Sequence, residues 1–243
     1  MGTLQPAVRV IQRLSDYDGD TEVAIAPTQI ESATLSAQRA VLKEWTDFFS
    51  ASPTGITRLS VNSRVPQVLV DSLQGQIQLK SLSLKWGPYS DLAPLERLRV
   101  LEELRLGGAK KVEDLTPLVE LSSLLTLTLD EPHGVADFTP LGNLSGLRSL
   151  SLGNGYPGSD KTLRLGDLTW LRGLRELHSL SLPGTSLDSS QFEVMLDLQA
   201  LAELSIPLRR SYRSRVFALA ESNKAFAGVA RNYLDYEAFR DAR

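Results

Sequence analysis

LEELRL, at residues 101–106, places leucine at its first, fourth and sixth positions, and this spacing decides the fold. The same Leu-x-x-Leu-x-Leu pattern returns about every 23 residues, with one longer interval that indicates an insertion. The other copies begin at Leu79, Leu124, Leu147, Leu177 and Leu201, and a degenerate copy begins at Ile56. Self-similarity at a fixed period predicts a solenoid, in which each repeat packs only against its neighbours.

Each copy of the pattern has the two-residue period of a β-strand. Leu104 and Leu106 alternate with Glu103 and Arg105, so the leucines face one side and the polar residues face the other. A single strand cannot shield its own leucines from water. Stacked repeats bury them in a shared core and pair their strands into a parallel sheet.

A second motif follows each strand. Asp91-Leu92-Ala93-Pro94-Leu95 recurs in the form D-L-x-P-L-x-x-L from Asp114 and, with Phe138 in place of the first leucine, from Asp137. A variant begins at Asp167. Asp caps a short helical turn, Pro suits its first turn, and the leucines fill the side opposite the sheet. Trp170 replaces the proline of the variant, and we expect it to be a packing residue.

The two half-motifs together resemble the short repeats of bacterial internalin-like leucine-rich-repeat proteins, over about residues 56 to 206. The resemblance implies an α/β leucine-rich-repeat solenoid, with a parallel sheet on the concave face and short helices or turns on the convex face. The family places an asparagine nine residues into each repeat, where its amide bonds the backbone of the neighbouring turn. The matching residues here are Gly87, Ala109, Pro132, Gly155 and Thr185. Only Thr185 offers a similar hydrogen bond, so looser loops are expected.

The chain divides into three predicted parts. Residues 1–55 are predicted to form an N-terminal cap, with short strands at Val8 to Leu14 and Glu22 to Ala26 and a helix from Ser36 to Phe49. Residues 56–208 form the solenoid, with about seven repeats. Residues 209–243 form a C-terminal cap, or a tail that folds on contact with a partner.

Composition limits the partners and the compartment. The net charge of −3 argues against a general affinity for nucleic acid or for a membrane surface. The chain has neither a long apolar run nor a signal-peptide pattern at its start. It has no cysteine, which suits a reducing compartment. We therefore expect a cytoplasmic monomer without membrane contact.

Catalytic chemistry finds no support in the sequence. The two histidines, His133 and His178, lie outside any metal-binding or nucleophile motif. Without cysteine, a phosphate-cradling loop or paired metal ligands, the chain is predicted to be non-enzymatic, with no cofactor and no metal.

The concave face is the predicted site of function. Its outward residues are expected to be Arg58, Ser60, Asn62, Ser81, Ser83, Lys85, Glu103, Arg105, Thr126, Thr128, Asp130, Ser149, Ser151, Ser179 and Ser181. Small hydroxyl side chains dominate this floor, whereas the aromatic anchors that usually carry binding energy follow the strands in loops. We name these loop residues the rim: Trp86, Tyr89, His133 and Tyr156. An insertion from Gly153 to Leu163 enlarges it.

The sequence favours a recognition module for one protein partner, such as an adaptor, an inhibitor or an immunity-type protein. The predicted partner contacts are Arg58, Lys85, Trp86, Tyr89, Arg105, Asp130, His133 and Tyr156. We expect alanine at both Trp86 and Tyr89 to abolish partner capture with little change in thermal stability. For Trp86, Tyr89 and Tyr156, a packing role is equally open.

Two alternatives belong to other functional classes. A structural scaffold would associate with itself through the tail from Tyr212. Recognition of a glycan or a nucleic acid would use the serine-rich floor and the arginine cluster around Tyr212. That cluster comprises Arg209, Arg210, Arg213 and Arg215.

Overall fold

The computed structural model describes residues 9–31, 33–154 and 161–241. Within these residues, nine strands form one parallel sheet in chain order, and two further strands form a second, small parallel sheet. The strands are β1 (Val10–Ile11), β2 (Glu22–Ile25), β3 (Arg58–Arg64), β4 (Ser81–Trp86), β5 (Glu103–Leu106), β6 (Thr126–Asp130), β7 (Ser149–Gly153), β8 (Leu163–Leu165), β9 (Ser179–Ser181), β10 (Thr185–Leu187) and β11 (Glu203–Ser205). The predicted α/β solenoid is confirmed.

The leucine pattern positions every strand of the solenoid. Leu82, Leu104 and Leu127 are paired across neighbouring strands and are at most 2% exposed, so leucines at equivalent positions stack along one continuous core. Each predicted repeat contributes one strand to the large sheet. β1 and β2 are additional, since the N-terminal segment adds two rungs in parallel to β3.

The first helix closes the N-terminal side of this core. α1 spans Leu35–Ala51, and the Thr34 hydroxyl accepts a hydrogen bond from the Ala37 N–H at its start. Trp45 and Phe49 are at most 1% exposed, and the Trp45 indole N–H donates to the Gln12 carbonyl. A second, short helix, α2, spans Gln67–Ser72 on the convex side of the first predicted repeat.

The convex face consists of short 3-10 helices. They span Ala93–Leu95, Thr116–Glu120, Thr139–Asn143, Thr169–Gly173 and Ser189–Asp197, and two more occur at Leu14–Asp16 and Leu73–Gly75. The predicted aspartate caps are present. Asp114 accepts the N–H of Thr116, and Asp167 accepts the N–H of Thr169, both at distances below 3.0 Å. Trp170 is 7% exposed and stacks on Phe138, in agreement with a packing role.

The turns after the strands stack on the neighbouring rungs through their backbones. The Gly107 N–H donates to the Leu84 carbonyl, and the Ala109 N–H donates to the Asp130 carbonyl. An added Cβ at Gly107 would lie 1.8 Å from the Lys85 carbonyl oxygen, so only glycine allows this close approach. Thr185, at the position of the family's asparagine, is fully buried, and its hydroxyl donates to the Leu182 carbonyl three residues earlier in the same repeat.

Two helices that pack on each other complete the C-terminal end: α3 (Arg210–Ala220) and α4 (Lys224–Asp241). α3 contacts the last convex 3-10 helix, and α4 contacts β11. Tyr212 is 3% exposed, and its hydroxyl donates to the Leu187 carbonyl and accepts the Leu187 N–H. Both helices are therefore continuous with the solenoid core.

Candidate partner-binding surface

The outward side chains of the large sheet form two straight rows because the strands are in register. We call these rows the floor. The first row is Arg58, Ser81, Glu103, Thr126, Ser149, Ser179 and Glu203, and the second is Ser60, Ser83, Arg105, Thr128, Ser151, Ser181 and Ser205. Most members carry a short hydroxyl side chain. A partner backbone therefore has close access to most of this surface.

Charged residues of the floor are paired with one another. The Arg58 Nη2 lies 2.8 Å from the Glu103 Oε2, and the Arg58 Nε lies 3.7 Å from a carboxylate oxygen of Glu22. These three side chains are about half exposed, so the pairs contribute little stability. Two carboxylates share this one arginine, so the three side chains together carry a negative charge.

Asp130 lies at the edge of the floor and is more buried than its sequence position suggests. It is 9% exposed, and its Oδ2 lies 2.6 Å from the Arg105 Nη2. Burial raises the pKa of Asp130, and the Arg105 guanidinium opposes this shift. Since the side chain is directed to Arg105, a partner meets the arginine of this pair more readily than the carboxylate.

Trp86 is the exposed aromatic anchor among the described rim residues. It ends β4 opposite Arg64 of β3 and is 41% exposed, whereas Trp45 and Trp170 are at most 7% exposed. The preceding residue, Lys85, is also exposed, and no ion pair involves its ammonium group among the described residues. Tryptophan is enriched among the residues that carry binding energy at protein interfaces, so Trp86 is the best candidate anchor of this surface.

The structure corrects the expected position of Tyr89. The ring is fully buried, and its hydroxyl donates to the Gly107 carbonyl at 2.7 Å. Burial raises the pKa of Tyr89 and keeps the phenol neutral. The side chain lies in the core beneath the turn and bonds the next rung. Tyr89 is therefore a packing residue that no partner contacts in this conformation.

His133 lies in the loop after β6 and is half-buried. Its Nε2 is buried without a hydrogen-bond partner, while the neighbouring Glu131 carboxylate lies 3.1 Å from the Lys110 ammonium group. Burial lowers the pKa of His133, the Glu131 charge opposes this shift, and Lys161 and Lys110 add to it. The other predicted rim residue, Tyr156, lies outside the described residues.

His133 predicts a pH dependence of stability. Because its pKa is lower in the folded chain than in the unfolded chain, the unfolded state binds the proton more readily. The contribution of His133 is therefore fully present above its unfolded pKa of about 6.5, and it is lost as the pH falls through the folded pKa. Urea unfolding at about pH 7.5 and 5.5 should show a larger loss for wild type than for His133→Asn. An equal loss in both proteins would contradict this.

The arginine cluster is mostly engaged within the fold. The Arg209 Nη2 donates to the Thr185 carbonyl, Arg213 forms two hydrogen bonds with Glu237, and Arg215 pairs with Glu193. These contacts attach α3 and α4 to the solenoid. They do not present the cluster as a row of free cations for phosphate groups.

A groove lies between α4 and the last strands of the floor, and the sequence analysis did not find it. It encloses about 590 Å³, and Ser179, Ser181 and Ser205 form its bottom while Gly228 and Asn232 of α4 form one wall. No sequence signal predicts it, since its shape depends on how α4 packs across β11. Tyr236 continues the same side of α4 and is 57% exposed.

The described residues contain neither a membrane-spanning helix nor a cluster of metal ligands. No helix in this part of the chain is long and apolar enough to cross a membrane. Across residues 9–31, 33–154 and 161–241, no group of three or more histidine, aspartate or glutamate side chains is placed to hold a metal ion.

A solved structure supports the fold, whereas the sequence comparisons give no match. No family model and no curated protein sequence matches the chain. Among solved structures, internalin C2 of Listeria monocytogenes is similar, with 23% identity and a TM-score of 0.54. The match covers 66% of this chain and 64% of that one.

Two further solved structures are less similar. The Listeria monocytogenes internalin InlF has 18% identity and a TM-score of 0.38, over 69% of this chain and 73% of that one. A leucine-rich-repeat protein of Leptospira interrogans has 16% identity and a TM-score of 0.43, over 82% of this chain and 58% of that one. The likeness to internalin C2 establishes the fold as a leucine-rich-repeat solenoid and confirms the predicted resemblance.

Proposed function

We propose that this leucine-rich-repeat solenoid is a non-enzymatic recognition module that binds one protein partner across the floor and at Trp86. The single observation that supports it is the 41% exposure of Trp86 beside an unpaired Lys85, next to a floor of small hydroxyl residues. Tryptophan contributes large binding energies at protein interfaces, and small neighbours allow a partner to approach it closely. Arg58, Arg105, Asp130 and His133 are proposed as further polar contacts with the partner.

The module acts by occupying its partner, as an adaptor, an inhibitor or an immunity-type protein. The absence of cysteine supports a reducing compartment, and we propose the cytoplasm and a monomeric state.

Capture from a lysate of the source cell tests this proposal. Wild type, Trp86→Ala and Tyr236→Ala are immobilised, and the bound proteins are quantified by mass spectrometry. Tyr236→Ala is the matched control because it removes a similarly exposed aromatic at the other end of the chain. A protein bound by wild type and by the control, but reduced at least about tenfold by Trp86→Ala, is the expected result.

The opposite pattern, with capture lost only in Tyr236→Ala, would move the site to α4 and contradict the proposal. Circular dichroism of all three proteins establishes that each remains folded.

A self-associating scaffold is the second candidate function. It is supported by the exposure of Leu234 and Tyr236 on α4, at 50% and 57%. Light scattering separates the two candidates, since a scaffold forms oligomers alone, and a recognition module remains monomeric until its partner is added.

A further inference from the structure

A small apolar pocket lies between α1 and the ends of β2 and β3, where Arg64 pairs with Trp86 of β4. Its volume is about 200 Å³, and Leu35, Leu42 and Pro66 provide its apolar lining. An apolar cavity of about 150 Å³ is large enough for a benzene ring, so this pocket has room for one aromatic or branched aliphatic side chain. We call it the α1 pocket.

The helix presents a second apolar side to this pocket. Val41, Trp45 and Phe49 of α1 face the core. Leu35 and Leu42, about two helical turns apart, lie on another side of α1 and line the pocket. Leu35 is 73% exposed. A leucine this exposed in the first turn of a helix contributes little to folding, because none of the described residues buries its side chain.

The polar groups around the pocket are already bonded to one another. The Gln29 side chain accepts the Arg64 N–H, the Gln29 N–H donates to the Gln38 side chain, and the Thr28 hydroxyl donates to the Arg64 carbonyl. These bonds hold the ends of β2 and β3 against α1. The pocket is therefore formed before any partner arrives, and filling it requires no broken hydrogen bond.

Two arginines line the pocket, and a lysine lies on the adjoining strand. The arginines are Arg39 and Arg64, and the lysine is Lys85, beside Trp86. Among the described residues, no carboxylate lies within ion-pair distance of any of the three. In a chain of net charge −3, this is a local reversal of sign. Charge complementarity therefore favours an acidic partner segment.

We propose that the α1 pocket receives one large apolar side chain from an acidic segment of the partner, whose carboxylates pair with Arg39, Arg64 and Lys85. The inference rests on the proposed function and specifies the chemistry of the partner. Burial of the apolar side chain supplies affinity, and the cations supply orientation and preference for acidic sequences.

The test uses the whole chain, labelled with nitrogen-15, and a defined probe, the peptide acetyl-Gly-Asp-Leu-Glu-Gly-amide. Amide and indole signals are followed by NMR during titration to millimolar peptide. We expect shifts at Leu35, Arg39, Arg64 and the Trp86 indole. Replacing the leucine of the peptide by alanine should weaken binding at least about tenfold, and replacing its acidic residues by lysine should abolish it.

Charge reversal of the protein supplies the matched comparison. Arg39→Glu with Arg64→Glu should lose the acidic peptide and gain the lysine peptide, while Arg97→Glu with Arg175→Glu should bind as wild type does. Both pairs of residues are exposed and unpaired among the described residues, so both variants change the net charge equally.

Any of three results would contradict the proposal for the α1 pocket: no NMR shifts, shifts located on α4, or equal binding of the acidic and lysine peptides. The proposed function fails separately. If Trp86→Ala does not reduce partner capture, the proposed function is contradicted, whether or not the peptide binds. If Trp86→Ala does reduce capture but the peptide does not bind, only the proposal for the α1 pocket is contradicted.

Discussion

Gly107→Ala should lower the free energy of unfolding by about 3 kcal/mol, since the added methyl group meets backbone. An ideal Cβ at this position lies 1.8 Å from the Lys85 carbonyl oxygen and 2.7 Å from its carbonyl carbon. Neither atom belongs to a flexible side chain, so the stacked turns must separate and weaken the bond from the Gly107 N–H to the Leu84 carbonyl. Urea unfolding followed by circular dichroism measures the loss.

Gly146→Ala is the matched control for this substitution. An added Cβ at Gly146 meets nothing within 4 Å, so its effect on unfolding should stay within about 0.5 kcal/mol. Equal midpoints for Gly107→Ala and Gly146→Ala would show that the turns of adjacent rungs do not approach each other as closely as described.

Tyr89→Ala should lower the free energy of unfolding by about 3 to 5 kcal/mol, whereas Trp86→Ala should change it by less than about 1 kcal/mol. Tyr89 is fully buried and bonded to the Gly107 carbonyl, whereas Trp86 is 41% exposed. The burial of Tyr89 supports the packing role that the sequence left open, so a loss of stability is now expected for this residue. Separate urea unfolding curves for the two single variants measure the difference.

Tyr89→Phe separates the two contributions of this residue. It keeps the ring and removes only the hydroxyl, and it should cost about 1 to 3 kcal/mol because the Gly107 carbonyl loses its buried donor. A Tyr89→Ala protein as stable as wild type would contradict the buried position.

The sequence predicts the rungs well because their information is local and repeated. Leu104 and Leu106 lie in the same strand positions as Leu127 and Leu129, and parallel pairing brings them into register. The period alone is sufficient for this, since a shift of one residue would turn every leucine to solvent.

The rim was harder to predict because its residues do not repeat. Trp86 and Tyr89 both follow β4, and nothing in their spacing shows which one enters the core. The burial of Tyr89 depends on Gly107 of the next rung. Gly107 has no side chain, so the two turns can approach closely, and its carbonyl accepts a hydrogen bond from the Tyr89 hydroxyl. A residue in one repeat is thus placed by a residue in another.

Tertiary packing also creates the features that the sequence did not reveal. The α1 pocket requires a helix from one segment and the ends of β2 and β3 from others, joined by Gln29, Gln38 and Arg64. Likewise, the groove along α4 exists because that helix packs across β11. Apolar periodicity identifies the side of a helix that faces the core, but not what its remaining sides enclose.

Hydrogen–deuterium exchange of the chain with its captured partner, compared with the chain alone, tests the central claim most directly. The account predicts slower exchange in peptides that cover residues 58–66 and 81–88, with no change in residues 224–241. Slower exchange confined to α4, with the floor and Trp86 unchanged, would contradict it.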